Sequence, residues 1–128
     1  MLNLIEKGAH YTSVIRVDGQ CTAVAMGSGD MPVLATPCMV ALMENAAMMA
    51  VSACLADDET TVGSSMNVRH LLPTPVGAQI EATAVLTEME GRKLTFEVKA
   101  TEGGNVIGTG VHVRYVVNRN AFLQKIQH

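Results

Sequence analysis

The sequence predicts an α+β fold in which an antiparallel sheet curls round one long, apolar central helix. Three observations predict it. Residues 36–55, TPCMVALMENAAMMAVSACL, carry one ionisable carboxylate, Glu44, and one amide, Asn45, among side chains that are otherwise apolar or small. After this stretch the hydrophobic period changes from that of a helix to the strict alternation of strands, and it keeps that value almost to the end. The chain has 128 residues, 48% of them hydrophobic, which is enough for one core and too few for two, so residues 1–128 are expected to form a single domain.

Residues 10–17, HYTSVIRV, put Tyr11, Ser13, Ile15 and Val17 on one face of a first strand. Residues 18–35 hold Asp18-Gly19, Gly27, Gly29-Asp30 and Pro32, the composition of an irregular loop with room for a short strand in CTAVAM. Loops that lead into a buried helix often line a ligand pocket. The helix follows. Pro37 suits its first position, where a missing N–H costs nothing, and Thr36 before it suits the N-cap. Ala, Met and Leu then favour helix as far as about Ala56. Apolar residues occupy every side of the wheel, so this helix has no face meant for water and must be surrounded. Asp57-Asp58-Glu59 match a helix C-terminus poorly and are expected just beyond it.

In TTVGSSMNVRHLL, Val62, Met66, Val68, His70 and Leu72 share one phase, which puts His70 on the apolar side unless a bulge near Gly63 shifts the register. Pro73-Thr74-Pro75-Val76-Gly77 breaks the chain. Ile80, Ala82, Ala84 and Leu86 line the next strand. Beyond the Glu90-Gly91 turn, Leu94, Phe96, Val98 and Ala100 line another. After Gly103-Gly104-Asn105, Ile107, Thr109, Val111, Val113, Tyr115 and Val117 share one face of a last strand, with Gly108, Gly110, His112 and Arg114 on the other. A short terminal helix is expected over about residues 120–127. The order of strand, loop, long apolar helix and four-strand antiparallel meander is that of the hot-dog architecture. One chain would leave sheet edge and apolar surface uncovered, so a homodimer joining two sheets is expected, with further pairing to tetramers left open.

Bulk properties exclude several classes. A net charge of −3 and an absence of basic runs or aromatic platforms argue against nucleic-acid binding. The N-terminal MLNLIEKGAH lacks the basic head and apolar core of a signal peptide. Cys21, Cys38 and Cys54 are odd in number and show no CxxC spacing, and two of them lie in the apolar helix as small hydrophobes, so a reducing, cytoplasmic setting is expected. The helix is just long enough to cross a membrane, but Glu44, Asn45 and Ser52 and the strand-rich remainder speak against a membrane partner. His10, His70, His112 and His128 lack metal-ligand spacing, and neither a metal nor any other cofactor is expected.

Three polar residues sit where polarity needs a reason: Thr36 at the helix mouth, Glu44 inside it, and His70 on the apolar phase of the next strand. Glu44 is a little over two turns past Thr36, about 12 Å along the helix, so the two can line one cleft without touching. Thr36 would be explained as a plain N-cap, and His70 as a hydrogen-bonded core histidine. Glu44 is harder to dismiss, since a carboxylate in an oily helix is costly unless it is partnered. A Glu–His pairing suits nucleophilic or general-base work.

The strings ATPCMVALMENA and VRHLLPTPVG, with EMEGRKLTFEV and IGTGVHVR further on, resemble the fluoroacetyl-CoA thioesterase family of hot-dog proteins over most of the chain from Ala35 to Val117. The spacing of Thr36, Glu44 and His70 resembles that family's Thr/Glu/His triad. The resemblance implies hydrolysis of an acyl-CoA thioester. Glu44 would be nucleophile or general base, His70 the acid/base partner, and Thr36 the group that orients or polarises carboxylate or thioester. It also implies that Gly63 lies near the thioester and that Arg114 on the last strand contacts substrate or CoA. A turn or bulge would explain Gly63 equally, and a solvated strand charge would explain Arg114. Arg69, Arg92 and Lys93 could meet CoA phosphates or simply face water.

One region departs from the family's fluoroacetyl-specific member, whose pocket resembles a lidded one with phenylalanines in the loop before the helix. Here the loop from Cys21 to Ala35 is shorter and has no aromatic residue. Discriminating a single fluorine with so small a lid would be hard, so a short or medium acyl-CoA, or another small thioester, is the expected substrate. Two rivals remain. A non-catalytic acyl-CoA-binding protein would keep the site and lack turnover. A hot-dog hydratase would resemble a site with Asp five residues ahead of a His, and position 65 is serine.

Overall fold

The computed structural model describes residues 4–127, so the first three residues of MLNLIEKGAH and His128 lie outside the described residues. The elements run β1 (His10–Arg16), a 3-10 turn, α1 (Ala23–Met26), α2 (Thr36–Ser52), β2 (Glu59–His70), β3 (Gln79–Glu90), β4 (Lys93–Glu102), β5 (Asn105–Asn118) and α3 (Arg119–Ile126). The strands form one antiparallel sheet in the order β1-β3-β4-β5-β2. Expectation and structure agree on an α+β sheet curled round a central helix. They differ on the path. Only β3, β4 and β5 form a meander, and β2 lies at the far edge against β5 rather than beside β3. Two prolines in the link from His70 to Gln79 keep that segment out of the sheet, and the chain crosses to the opposite edge before β3 begins.

The core forms where small residues let the helix lie close to the sheet. Met39, Met43, Ala46, Ala47 and Val51 of α2 are wholly buried against Ile80, Ala82, Ala84 and Leu86 of β3 and Leu94, Phe96 and Ala100 of β4. Each large side chain among them contributes about 1.5–3 kcal/mol of burial. The β4–β5 hairpin closes through Gly103 and Gly104 at φ 55 and 87, a pair of positive angles that side chains rarely adopt.

Local expectations fail in four places. CTAVAM contributes a helical turn, not a strand, because Thr22 accepts a hydrogen bond from the Ala25 N–H and Gly27 closes the turn in the left-handed region. The N-cap of α2 is Ala35, with Thr36 already the first helical residue. The helix ends at Ser52, before Ala56, and the acidic cluster does lie beyond it. Finally, α2 is not surrounded by its own chain: Ala41, Asn45 and Met49, spaced four apart, form an exposed stripe. On β5 it is the Gly108, Gly110, His112 and Arg114 face that turns inward, leaving Val111 and Tyr115 exposed.

Candidate active site

The first cluster forms at the mouth of α2. Ala35 holds the extended cap conformation without a side-chain bond, so the Thr36 hydroxyl is not needed as a cap. It lies 2.8 Å from Nδ1 of His70, the last residue of β2. The two side chains border a cleft of about 320 Å³ with Ser28, Val33, Leu71 and Pro73. Nε2 of His70 is shielded from solvent and, among the described residues, has no well-aligned hydrogen-bond partner. Burial lowers the pKa of this histidine, opposed in part by the Leu72 backbone. A neutral imidazole held beside a hydroxyl is equipped to accept a proton and pass it on.

The second cluster forms where β2 bulges. Its register against β5 shifts between Gly63 and Ser65, so Thr61 and Gly63 face inward before the bulge and Met66, Val68 and His70 face inward after it. This is how His70 reaches the helix side. Gly63 lies against Glu44: a Cβ placed there would be 3.1 Å from the Glu44 Oε2, 3.4 Å from His112 Cε1 and 3.5 Å from Arg114 Nη1. Glu44 is half-buried, and among the described residues no hydrogen bond or ion pair holds its carboxylate. Arg114 is 6% exposed, so it is no solvated strand charge. Its Nε donates to Thr61 Oγ1 and its Nη2 to the Thr61 carbonyl, both at 2.9 Å. Burial lowers its pKa and the nearby Glu44 raises it.

Of the candidates, the structure therefore brings Thr36 to His70, and Glu44 to Gly63 and Arg114, but it does not bring Glu44 to His70 within one chain. The clusters sit about 12 Å apart along α2. A groove of about 850 Å³ between β1 and α2 is lined by none of these residues. Arg92 turns toward Glu59, 4.0 Å away, while Arg69 is exposed. Among the described residues no three His, Cys, Asp or Glu gather as metal ligands, and no helix is long and apolar enough to cross a membrane. One residue escaped the sequence reading as a site residue. His112 touches Arg114 directly, and the signal was its position two residues away on the same inward face.

Comparison with known proteins accords with this fold. A hot-dog-like protein from Thermanaerovibrio acidaminovorans superposes with a TM-score of 0.87 at 20% identity, over 97% of this chain and 92% of that one, a likeness of fold. A variant of the fluoroacetyl-CoA thioesterase FlK, solved in complex with acetyl-CoA, superposes with a TM-score of 0.90 at 30% identity, over 95% of this chain and 96% of that one. The fluoroacetyl-CoA thioesterase of Streptantibioticus cattleyicolor is 38% identical over 95 residues, 74% of this chain and 68% of that protein. The fold and these relatives define a hot-dog thioesterase. Residues 17–120 match the family described as fluoroacetyl-CoA-specific thioesterase, and the chain belongs to it.

Proposed function

We propose that this protein hydrolyses a small acyl-CoA thioester, working in the cytoplasm as a homodimer whose single-domain protomers need no cofactor. The observation that carries the reading is an unpaired carboxylate held against a residue with no side chain: Glu44 Oε2 is 3.1 Å from the point where a Gly63 Cβ would stand. With no side chain on Gly63 to cover it, the carboxylate can be approached by a thioester carbonyl alongside the Gly63 backbone, with the buried guanidinium of Arg114 favouring the negative charge that develops on its oxygen. Glu44 attacks the carbonyl carbon or takes the proton of an attacking water. Where Glu44 is the nucleophile, water then cleaves the acyl anhydride it forms; in either path the proton released by the water passes through the imidazole of His70, steadied by Thr36, to the departing CoA thiolate. The loop from Cys21 to Ala35 carries no aromatic residue, so short or medium acyl chains fit the reading better than fluoroacetyl.

The homodimer brings the two clusters together. An antiparallel pairing of two β2 edges centred between Met66 and Asn67 sets Gly63 of one protomer across from the His70 end of its partner. The same pairing can cover the exposed stripe of α2. Glu44→Gln tests the activity. Across a panel of acyl-CoA esters assayed for free thiol, the variant is expected to lose at least ~100-fold in turnover while still binding the ester. Binding without thiol release by the wild-type protein would instead mark an acyl-CoA-binding protein.

A further inference from the structure

His112 is 1% exposed on the inward face of β5, tilted over Phe96 with ring centroids 6.4 Å apart. Both ring nitrogens are engaged. Nδ1 lies 2.7 Å from the Ser65 carbonyl oxygen, which can only accept, so Nδ1 carries the proton. Nε2 lies 3.2 Å from Arg114 Nη1, which can only donate, so Nε2 offers its lone pair. The partners thus assign a neutral ring in one tautomer.

Each bond holds a different part of the site. The Ser65 carbonyl belongs to the bulge that turns Gly63 toward Glu44, so the Nδ1 bond pins that bulge. The Nε2 bond fixes Nη1, the guanidinium atom nearest Gly63, which keeps a second hydrogen to give. A purely structural core position here would be filled more cheaply by an apolar side chain, because a buried His–Arg contact carries a desolvation cost. Instead the pair stands next to the only carboxylate of α2. We infer that His112 is a positioning residue: a neutral imidazole that locks the β2 bulge to the Arg114 guanidinium, so that Gly63, Glu44 and Nη1 meet the thioester carbonyl in one fixed geometry. The inference rests on the thioesterase reading, and the ring touches no substrate.

Three variants separate the two bonds. His112→Gln can keep an acceptor for Arg114 and gives up the bulge, His112→Asn can keep a donor for Ser65 and gives up Arg114, and His112→Leu gives up both. In proteins shown to be folded by their melting curves, His112→Leu is expected to lose about 100-fold in kcat with KM changed less than about threefold. At least one amide variant is expected to recover about tenfold of that loss. Unchanged kcat in His112→Leu, a loss confined to KM, or no recovery in either amide variant would overturn the inference. A readout independent of turnover is the imidazole nitrogen and Arg114 side-chain N–H spectrum of the wild type and His112→Leu. An unprotonated Nε2 near neutral pH, and Arg114 signals that move in the variant, are expected even if no acyl-CoA is hydrolysed. A protonated Nε2, or Arg114 signals that stay in place, would overturn the inference whatever the activity.

Discussion

At the scale of single residues, His70 and His112 are both held neutral by burial, which lowers the pKa of each. At His112 the Ser65 carbonyl and Glu44 oppose that shift and Arg114 adds to it. In the unfolded chain these rings titrate near ~6.5. Between the lowered folded values and that point the unfolded state binds more protons, so stability rises with pH through the window and is lost as pH falls through it. Urea unfolding between about pH 5 and 7 should therefore show acid destabilisation that is shallower in His112→Gln, which cannot titrate. A variant that loses as much stability on acidification as the wild type would show that His112 does not contribute to the slope.

At the scale of elements, the inner face of β5 decides how closely β2 can approach. Gly110 comes closest to the β2 backbone: a Cβ there would stand 2.6 Å from the Asn67 carbonyl oxygen, a backbone atom that cannot swing aside. Gly110→Ala is expected to cost about 1–3 kcal/mol, measured by chemical denaturation, because the β2–β5 ladder must shift. Stability unchanged within error would mean that the strands separate there freely. The same two strands mark the limit of what could be read from sequence. The helix, the β3–β4 and β4–β5 hairpins and the inward sets from Ile80 to Ala100 follow from local period and turn residues, so they were legible. The pairing of β2 with β5 joins segments about forty residues apart and leaves no local trace. Thr36 was legible as polar at a helix start, but its freedom from capping depends on Ala35 holding the cap conformation. Arg114 read equally well as a surface charge, because alternation in β5 set valines opposite it, and only the bulge at Gly63 makes room for it inside.

At the scale of the whole molecule, the separation of the two clusters becomes the useful fact. Glu44 lies against Gly63 in the first half of β2 and Thr36 lies against His70 at its last residue, so the two clusters of the proposed site are separated along one edge strand. In the proposed homodimer, twofold pairing of that edge would exchange the ends, and each complete site would draw its carboxylate from one protomer and its imidazole from the partner. Mixing two inactive variants tests this directly. In a hybrid of a Glu44→Gln chain with a His70→Ala chain, one site carries both lesions and the other carries neither. Co-expressed in equal amounts, the variants should form hybrids as about half of all dimers, with one working site in each, and so restore about a quarter of wild-type thiol release. If each site were built within one chain, every site in the mixture would carry a lesion and no activity would return. Separately purified variants, mixed under conditions where subunits do not exchange, provide the baseline that the co-expressed sample must exceed.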